Sequence, residues 1–207
     1  MARPEIIAHR GASRERPENT LAAFARAAEL GADAVELDVH LSQDGHLVVH
    51  HAAVVAPPAG RTPIGSMTLD ALRALPTPVP TLDEVIGAIG GRLRIYCELK
   101  GPGTAPSAVE ALTSLGDMAA VHSFDHRMVA DARRLAPSVV RGVLETSYRP
   151  DPTASLRDVA ARDLWQHEVL IDAPFVAAIH ATHGRLIAWT VNDPARARQL
   201  AAWGVDG

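Results

Sequence analysis

The sequence contains a single cysteine, Cys97, among its 207 residues. An intrachain disulfide is therefore excluded, and such sparse use of cysteine is typical of a reducing compartment, so we predict a cytoplasmic location. No apolar run reaches the ~18 residues that a membrane-spanning helix needs. Residues Met1 to Glu5 also lack the apolar segment of a signal peptide. We therefore expect no stable insertion into a membrane.

An excess of positive charge is lacking as well. The chain has 20 Lys and Arg against 24 Asp and Glu, a formal net charge of −4. This balance argues against a nucleic-acid partner or a polybasic membrane surface, and favours a small-molecule partner. With 47% hydrophobic residues, a chain of this length can bury most of its apolar surface. We expect one globular domain over residues 1–207.

The most informative stretch is residues 34–51, AVELDVHLSQDGHLVVHH. Apolar residues alternate with polar ones from Ala34 onwards, which is the period of a strand. Glu36 and Asp38 lie two residues apart, so their carboxylates leave the same face roughly 6–7 Å apart. A divalent cation that prefers oxygen ligands would relieve their repulsion. A turn at 43–45 then predicts a hairpin that brings His51 back towards the same end.

The rest of the chain alternates between strand and helix patterns. We count eight strands, the last cut short at Gly207, which predicts a (β/α)8 TIM barrel with a small insertion after the second strand. The insertion is expected over residues 52–80, with a loop at 56–60 and a short helix from Thr68. Near the end we predict a helix over 156–165 and a weak strand over 168–172. A doubly wound open sheet is the alternative fold.

The positions of the ionisable residues favour the barrel. Many of them fall at or just beyond the carboxyl ends of predicted strands, which converge on one mouth only if the sheet closes. These residues are His9, Arg10, Glu36, Asp38, His51, Glu98, Lys100, Ser123 and Asn192.

Eight short motifs in order carry a resemblance to a known family. They are His9-Arg10-Gly11, Pro17-Glu18-Asn19-Thr20, Glu36-Leu37-Asp38, Leu47-Val48-Val49-His50-His51, Val79-Pro80-Thr81-Leu82, Glu98-Leu99-Lys100, Ser123-Phe124-Asp125 and Trp189-Thr190-Val191-Asn192. In order and spacing the chain resembles the glycerophosphodiester phosphodiesterase family, from about Ile6 to Gly207.

The resemblance implies a phosphoric diester hydrolase with a TIM barrel and one bound divalent cation. It implies that Glu36, Asp38 and Glu98 are the metal ligands. The same comparison implies that His9 and His51 are the acid/base pair, and that Arg10 and Lys100 hold the phosphate. Ligation by carboxylates alone indicates Mg²⁺ or Ca²⁺ rather than zinc.

The chain departs from the family pattern in two places. The family usually has His-Asp where this chain has His51-Ala52, and we expect activity to fall if that aspartate orients the histidine. The family's last strand also continues for a few residues beyond the position of Gly207, so we expect a gap in the barrel wall.

Several other residues admit more than one interpretation. We consider Trp189 as a residue that stacks on the substrate, with packing at the barrel mouth as the alternative. Asn19 is most simply a helix cap, with a role in the site as the alternative, and His122 is interpreted as a core histidine. Cys97 is expected to face the helix layer as inert core.

The predicted reaction is hydrolysis of glycerophosphodiesters to an alcohol and glycerol 3-phosphate. A phospholipase-D-like relative that acts on lysophospholipids is an alternative, and it would need an apolar lip at the mouth. A barrel with weakened catalysis that serves as a binding module is a further alternative, suggested by Ala52.

Overall fold

The computed structural model describes residues 3–56 and 60–207, and a curled parallel sheet forms its centre. The strands are β1 (Ile7–His9), β2 (Ala34–Leu41), β3 (Leu47–Val49), β4 (Val54–Val55), β5 (Thr62–Pro63), β6 (Arg94–Leu99), β7 (Ala119–Ser123), β8 (Val140–Glu145), β9 (Asp163–His167) and β10 (Arg185–Trp189). The α-helices are α1 (Leu21–Glu29), α2 (Leu69–Arg73), α3 (Leu82–Ile89), α4 (Thr104–Leu112), α5 (His126–Leu135), α6 (Ala154–Val159), α7 (Ala173–His180) and α8 (Pro194–Trp203).

The order of the strands in the sheet is that of a barrel. Parallel neighbours follow one another as β1-β2-β6-β7-β8-β9-β10, with β3 paired antiparallel to β2. An open doubly wound sheet reverses direction at a switch point, and this order contains no reversal. The predicted (β/α)8 barrel is therefore confirmed over the open-sheet alternative.

The last described residues close the sheet between β10 and the chain before β1. Asp206 donates its backbone N–H to Leu186 at 2.9 Å and accepts from Glu5 at 2.8 Å. Gly207 accepts from the backbone of Ala188 at 2.9 Å. These bonds lie at the position of an eighth strand of the barrel.

Apolar side chains fill both sides of the sheet. Leu37, Cys97 and Val121 belong to a cluster that lies under the outer helices, so the expected placement of Cys97 is correct. Inside the barrel a smaller cluster contains the aromatic rings of Tyr96 and Trp165. The barrel interior is thus packed, and the site must lie above this packing at the carboxyl ends of the strands.

The insertion contains a β4–β5 hairpin and helix α2. It begins after β3 and buries Val55, Ile64 and Leu72 against Val48. Helix α2 begins after Thr68, which caps it as predicted. Residues 57–59 of the predicted loop at 56–60 lie outside the described residues. No helix in the described ranges is both long and apolar enough to cross a bilayer.

Two predicted elements near the end of the chain are wrong. Helix α6 ends at Val159, because Ala160 adopts a left-handed conformation (φ 48°). The strand then lies at Asp163–His167, and residues 168–170 form a short 3-10 turn. The predicted helix extended to Trp165 because an apolar residue at that position fits a buried helix face. Trp165 instead belongs to β9 and packs inside the barrel, where both faces of a strand are buried.

Candidate active site

Three carboxylates lie on neighbouring strands at their carboxyl ends. Glu36 and Asp38 belong to β2, and Glu98 lies opposite Asp38 in the parallel register of β6. All three side chains are buried. The period of two residues on each strand explains why they share the inner face. The structure therefore brings the three predicted metal ligands to one mouth.

Two cationic side chains contact these carboxylates. Lys100 Nζ lies 2.8 Å from Glu98 Oε1 and 3.2 Å from Asp38 Oδ1. Arg10 Nε lies 3.5 Å from Asp38 Oδ2, and its Nη1 also donates to both carboxylate oxygens of Glu18 at 3.0 Å. The predicted phosphate-binding residues thus lie beside the predicted metal ligands, where they can neutralise an anion.

The carboxylates have unequal pKa values. Burial, followed by the charge of Asp38, raises the pKa of Glu36 well above its usual range. Burial also raises the pKa of Glu98 to about 7, although His122 and Lys100 act in the opposite direction. At Asp38 burial is outweighed by Lys100, by the Asn19 amide and by Arg10, so its pKa is lowered. At Glu36 and Glu98 the nearby cationic groups do not outweigh burial, and a bound cation would supply further positive charge.

His9 lies at the end of β1 beside Glu36. Its Nε2 is 3.8 Å from Glu36 Oε2, and its Nδ1 is 3.3 Å from Thr190 Oγ1. Burial, followed by the charge of Arg10, lowers the pKa of His9 to about 4. The imidazole is therefore neutral at pH 7 and can accept a proton.

His51 follows the β2–β3 hairpin and lies in the same electrostatic environment. Burial lowers its pKa, Arg10 and Lys100 lower it further, and Asp38 acts in the opposite direction. The backbone carbonyl of His51 contacts the ring of His40, with His40 Nε2 at 3.2 Å. A bound phosphodiester anion would raise the pKa of His51 because it adds negative charge nearby.

Trp189 lies at the end of β10 in an aromatic group. Its ring meets Phe124 edge-on with centroids 5.5 Å apart, and meets His167 at 5.2 Å. A cavity of about 880 Å³ extends from His9 and Glu36 past Trp189. The predicted stacking residue therefore lines a cavity that is also lined by one predicted catalytic residue, His9, and one predicted metal ligand, Glu36.

Comparison with known proteins assigns the chain to a family. The model of the glycerophosphoryl diester phosphodiesterase family matches residues 9–207. The chain belongs to this family. A glycerophosphodiester phosphodiesterase of Caldanaerobacter subterraneus subsp. tengcongensis is 32% identical over 222 residues, covering 98% of this chain and 91% of that protein. The putative glycerophosphodiester phosphodiesterase YhdW of Bacillus subtilis is also 32% identical, covering 98% of this chain and 92% of that protein.

Solved structures of family members have the same fold. A phosphodiesterase of Oleispira antarctica, in complex with the product sn-glycerol-3-phosphate, has a TM-score of 0.90 at 29% identity, covering 99% of this chain and 91% of that one. A glycerophosphodiester phosphodiesterase of Thermotoga maritima has a TM-score of 0.88 at 25% identity, covering 100% of this chain and 94% of that one. The predicted family and the hydrolase class that it implies are confirmed.

The donor set of this family member fits a divalent cation. One carboxylate oxygen each of Glu36 and Glu98 and one ring nitrogen of His122 lie within 4.8 Å of one another. Asp38 lies outside this group, because its carboxylate is shared by Asn19, Arg10 and Lys100. The raised pKa values of Glu36 and Glu98 provide a second reason to expect a cation there.

The sequence interpretation left a site role of Asn19 open and missed the contacts of His122 with the site. Thr20 caps α1, whereas Asn19 is buried and donates from Nδ2 to Asp38 Oδ2 at 2.8 Å. His122 faces Glu98 in the register of β7 with β6. The alternation Ala120-His122 on a strand could have revealed this shared inner face.

Proposed function

We propose that this family member hydrolyses glycerophosphodiesters to an alcohol and glycerol 3-phosphate, with one divalent cation and two catalytic histidines. The observation that carries the proposal is the convergence of under-compensated buried carboxylates, two cationic side chains and two neutral imidazoles at one mouth. The glycerol 3-phosphate bound to the relative from Oleispira antarctica supports the choice of substrate.

Each group has a role in this proposal. Glu36, Asp38 and Glu98 would hold the cation, Mg²⁺ or Ca²⁺, which would stabilise negative charge on the phosphoryl oxygens. Asp38 would then share its carboxylate between the cation and its present partners Arg10 and Lys100. Arg10 and Lys100 hold the phosphate, which requires Lys100 to share its contacts with Asp38 and Glu98.

The two histidines move the protons. The neighbouring hydroxyl of the glycerol attacks phosphorus, and His9 Nε2 or Nδ1 accepts the proton of this hydroxyl. The bond from phosphorus to the alcohol breaks, and His51, protonated because the bound phosphodiester raises its pKa, donates a proton to the departing oxygen. Water then attacks the phosphorus of the cyclic phosphate and gives its proton to His51, which is now neutral. The bond from phosphorus to the oxygen of the neighbouring hydroxyl breaks, and that oxygen takes the proton held by His9.

A turnover assay tests the proposal. Purified protein is incubated with glycerophosphocholine before and after EDTA treatment, and glycerol 3-phosphate is measured by ³¹P NMR. We expect release that is lost with EDTA and restored by Mg²⁺ or Ca²⁺. Absence of cation-dependent release would reject the proposal and favour a barrel with weakened catalysis, a binding module in which Ala52 replaces an aspartate.

The aromatic group at the mouth favours a second substrate class. Phe124 is 45% exposed and its ring contacts that of Trp189, and this apolar pair supports a lip for the acyl chain of a lysophospholipid. A lysophospholipase-D-like activity predicts faster turnover of lysophosphatidylcholine than of glycerophosphocholine. Faster turnover of the water-soluble substrate rejects this second candidate.

A further inference from the structure

His122 occupies the floor of the site, below the carboxylates. It is 1% exposed, and its Nε2 lies 3.7 Å from Glu36 Oε1. In the register of β7 with β6 it is the direct neighbour of Glu98. Its imidazole is thus enclosed beside both carboxylates whose pKa values are raised.

The surrounding residues fix the plane of this imidazole. It stacks on Trp165 with centroids 4.4 Å apart and planes 10° apart. The Trp165 ring in turn requires the glycine on β8, because a Cβ at Gly142 would lie 2.9 Å from Trp165 Nε1. Gly142 is the register partner of His122. Three neighbouring strands therefore hold the ring in one orientation.

Packing does not satisfy the polar atoms of the ring. His122 Nδ1 is buried and has no hydrogen-bond partner among the described residues. Leaving a buried polar atom without a partner costs about 1–3 kcal/mol. The other ring nitrogen, Nε2, lies 3.7 Å from Glu36 Oε1, beyond hydrogen-bond distance. An ion bound by Nε2, between the ring and the carboxylates, accounts for a polar side chain in this position.

The geometry points to His122 as a further metal ligand, together with Glu36 and Glu98, and to a first-row transition ion rather than Mg²⁺ or Ca²⁺ as the preferred occupant. The three donor atoms lie within 4.8 Å of one another, so a single ion can lie between them. Imidazole suits transition ions such as Zn²⁺ and Fe²⁺, and carboxylates also accept Mn²⁺, so Mn²⁺ is a suitable probe of this mixed donor set. This inference rests on the cation site of the proposed function and changes its expected ion.

Pulsed EPR of the Mn²⁺-loaded protein without substrate tests the inference. We expect a ¹⁴N coupling from an imidazole bound directly to Mn²⁺, lost or changed in His122→Gln. In the control His126→Gln, which removes a ring bound to the Leu144 carbonyl, the coupling is expected to persist. Absence of any ¹⁴N coupling in the unmodified protein would overturn the inference, whether or not His122→Gln folds.

Calorimetric titration provides a second readout that does not depend on turnover. In His122→Gln we expect the Kd for Mn²⁺ to rise at least about tenfold, and the Kd for Mg²⁺ to change by less than about threefold, because Mg²⁺ prefers oxygen ligands. Equal changes for both ions would contradict a ligand role. Tight Mn²⁺ binding through His122 without glycerophosphodiester turnover would reject the proposed function and leave this inference standing.

Discussion

The two ends of the barrel differ in how their buried carboxylates are paired with positive charge. At the amino ends of the strands, Glu5 accepts from Arg94 and Arg185 at 2.7 Å and from the Tyr96 hydroxyl at 2.8 Å. At the carboxyl ends, Glu36 and Glu98 have raised pKa values. At the amino ends of the strands, here called the lower end, the Glu5 carboxylate is fully paired with cationic and hydroxyl groups. At the carboxyl ends, the upper end, Glu36 and Glu98 are only partly compensated. We therefore expect the lower end to stabilise the fold and the upper end to bind a ligand.

At the lower end, two further carboxylates each accept two hydrogen bonds from one arginine. Arg162 donates to both oxygens of Asp163 at 2.6 and 2.8 Å, and Arg3 does the same for Asp33 at 2.6 and 2.7 Å. Such paired hydrogen bonds are among the strongest between side chains. At the upper end one lysine, Lys100, is shared between Asp38 and Glu98, which leaves charge for an ion to balance.

Removal of an upper carboxylate has the largest expected effect. Glu98→Gln should lower kcat/KM by about 10³-fold or more, because a cation contributes several kcal/mol of charge stabilisation. The melting temperature should not fall, since a buried carboxylate with a raised pKa opposes folding. Steady-state kinetics and thermal melts measure both quantities. Glu110→Gln, on the exposed side of α4, is the control, and a loss below about tenfold would contradict a ligand role.

The histidine at the end of the hairpin has the next largest expected effect. His51→Ala should lower kcat by at least about 100-fold, the lower range of general acid–base catalysis. The exposed His46, in the turn of the same hairpin, provides the control His46→Ala, which should retain full kcat. Near-normal turnover of His51→Ala would remove His51 from the mechanism.

At the lower end, Glu5→Gln should destabilise the fold and leave kcat unchanged. We expect a loss of about 2 kcal/mol in the free energy of unfolding, less than for a fully buried pair, because Arg94 and Arg185 are 27% and 24% exposed. Urea titrations monitored by circular dichroism measure this loss. A large loss of kcat with no loss of stability would contradict the claim that the lower end stabilises the fold and does not take part in the reaction.

The same variant predicts a pH dependence. Burial tends to raise the pKa of Glu5, but Arg185, Tyr96 and Arg94 outweigh it, so the folded pKa lies below the usual value of 4.5. Glu5 therefore contributes its full stabilisation above that value and loses it as the pH falls through the lower folded pKa. The difference in unfolding free energy between the unmodified protein and Glu5→Gln should shrink below about pH 4.5.

The smallest expected effect is a gain. Ala52→Asp introduces the carboxylate that the family resemblance leads us to expect after His51. We expect kcat/KM to rise by up to about tenfold if the aspartate orients His51, the lower range for a group that supports a ligand or catalytic side chain. Kinetics with glycerophosphocholine measure it, with Ala53→Asp as the control. A fall in kcat/KM would show that His51 is already well oriented by its neighbours.

Sequence reasoning predicted the barrel and brought most site residues together because strands impose a strict period of two. Glu36 and Asp38 were placed on one face by this period, and the family resemblance implied Glu98 as a third ligand. The contacts of Asn19 were not predictable, because capping and bonding to Asp38 use the same residue type. His122 was missed since a histidine in an apolar strand is compatible with core packing, and only the β6–β7 register places it beside Glu98.

The central claim is that the upper carboxylates bind one cation. A crystal structure of the Mn²⁺-soaked protein, with an anomalous difference map, measures this most directly. The account predicts one strong peak within about 2.4 Å of carboxylate oxygens of Glu36 and Glu98. A map with no peak between these residues, at a Mn²⁺ concentration that saturates the protein in solution, would contradict it.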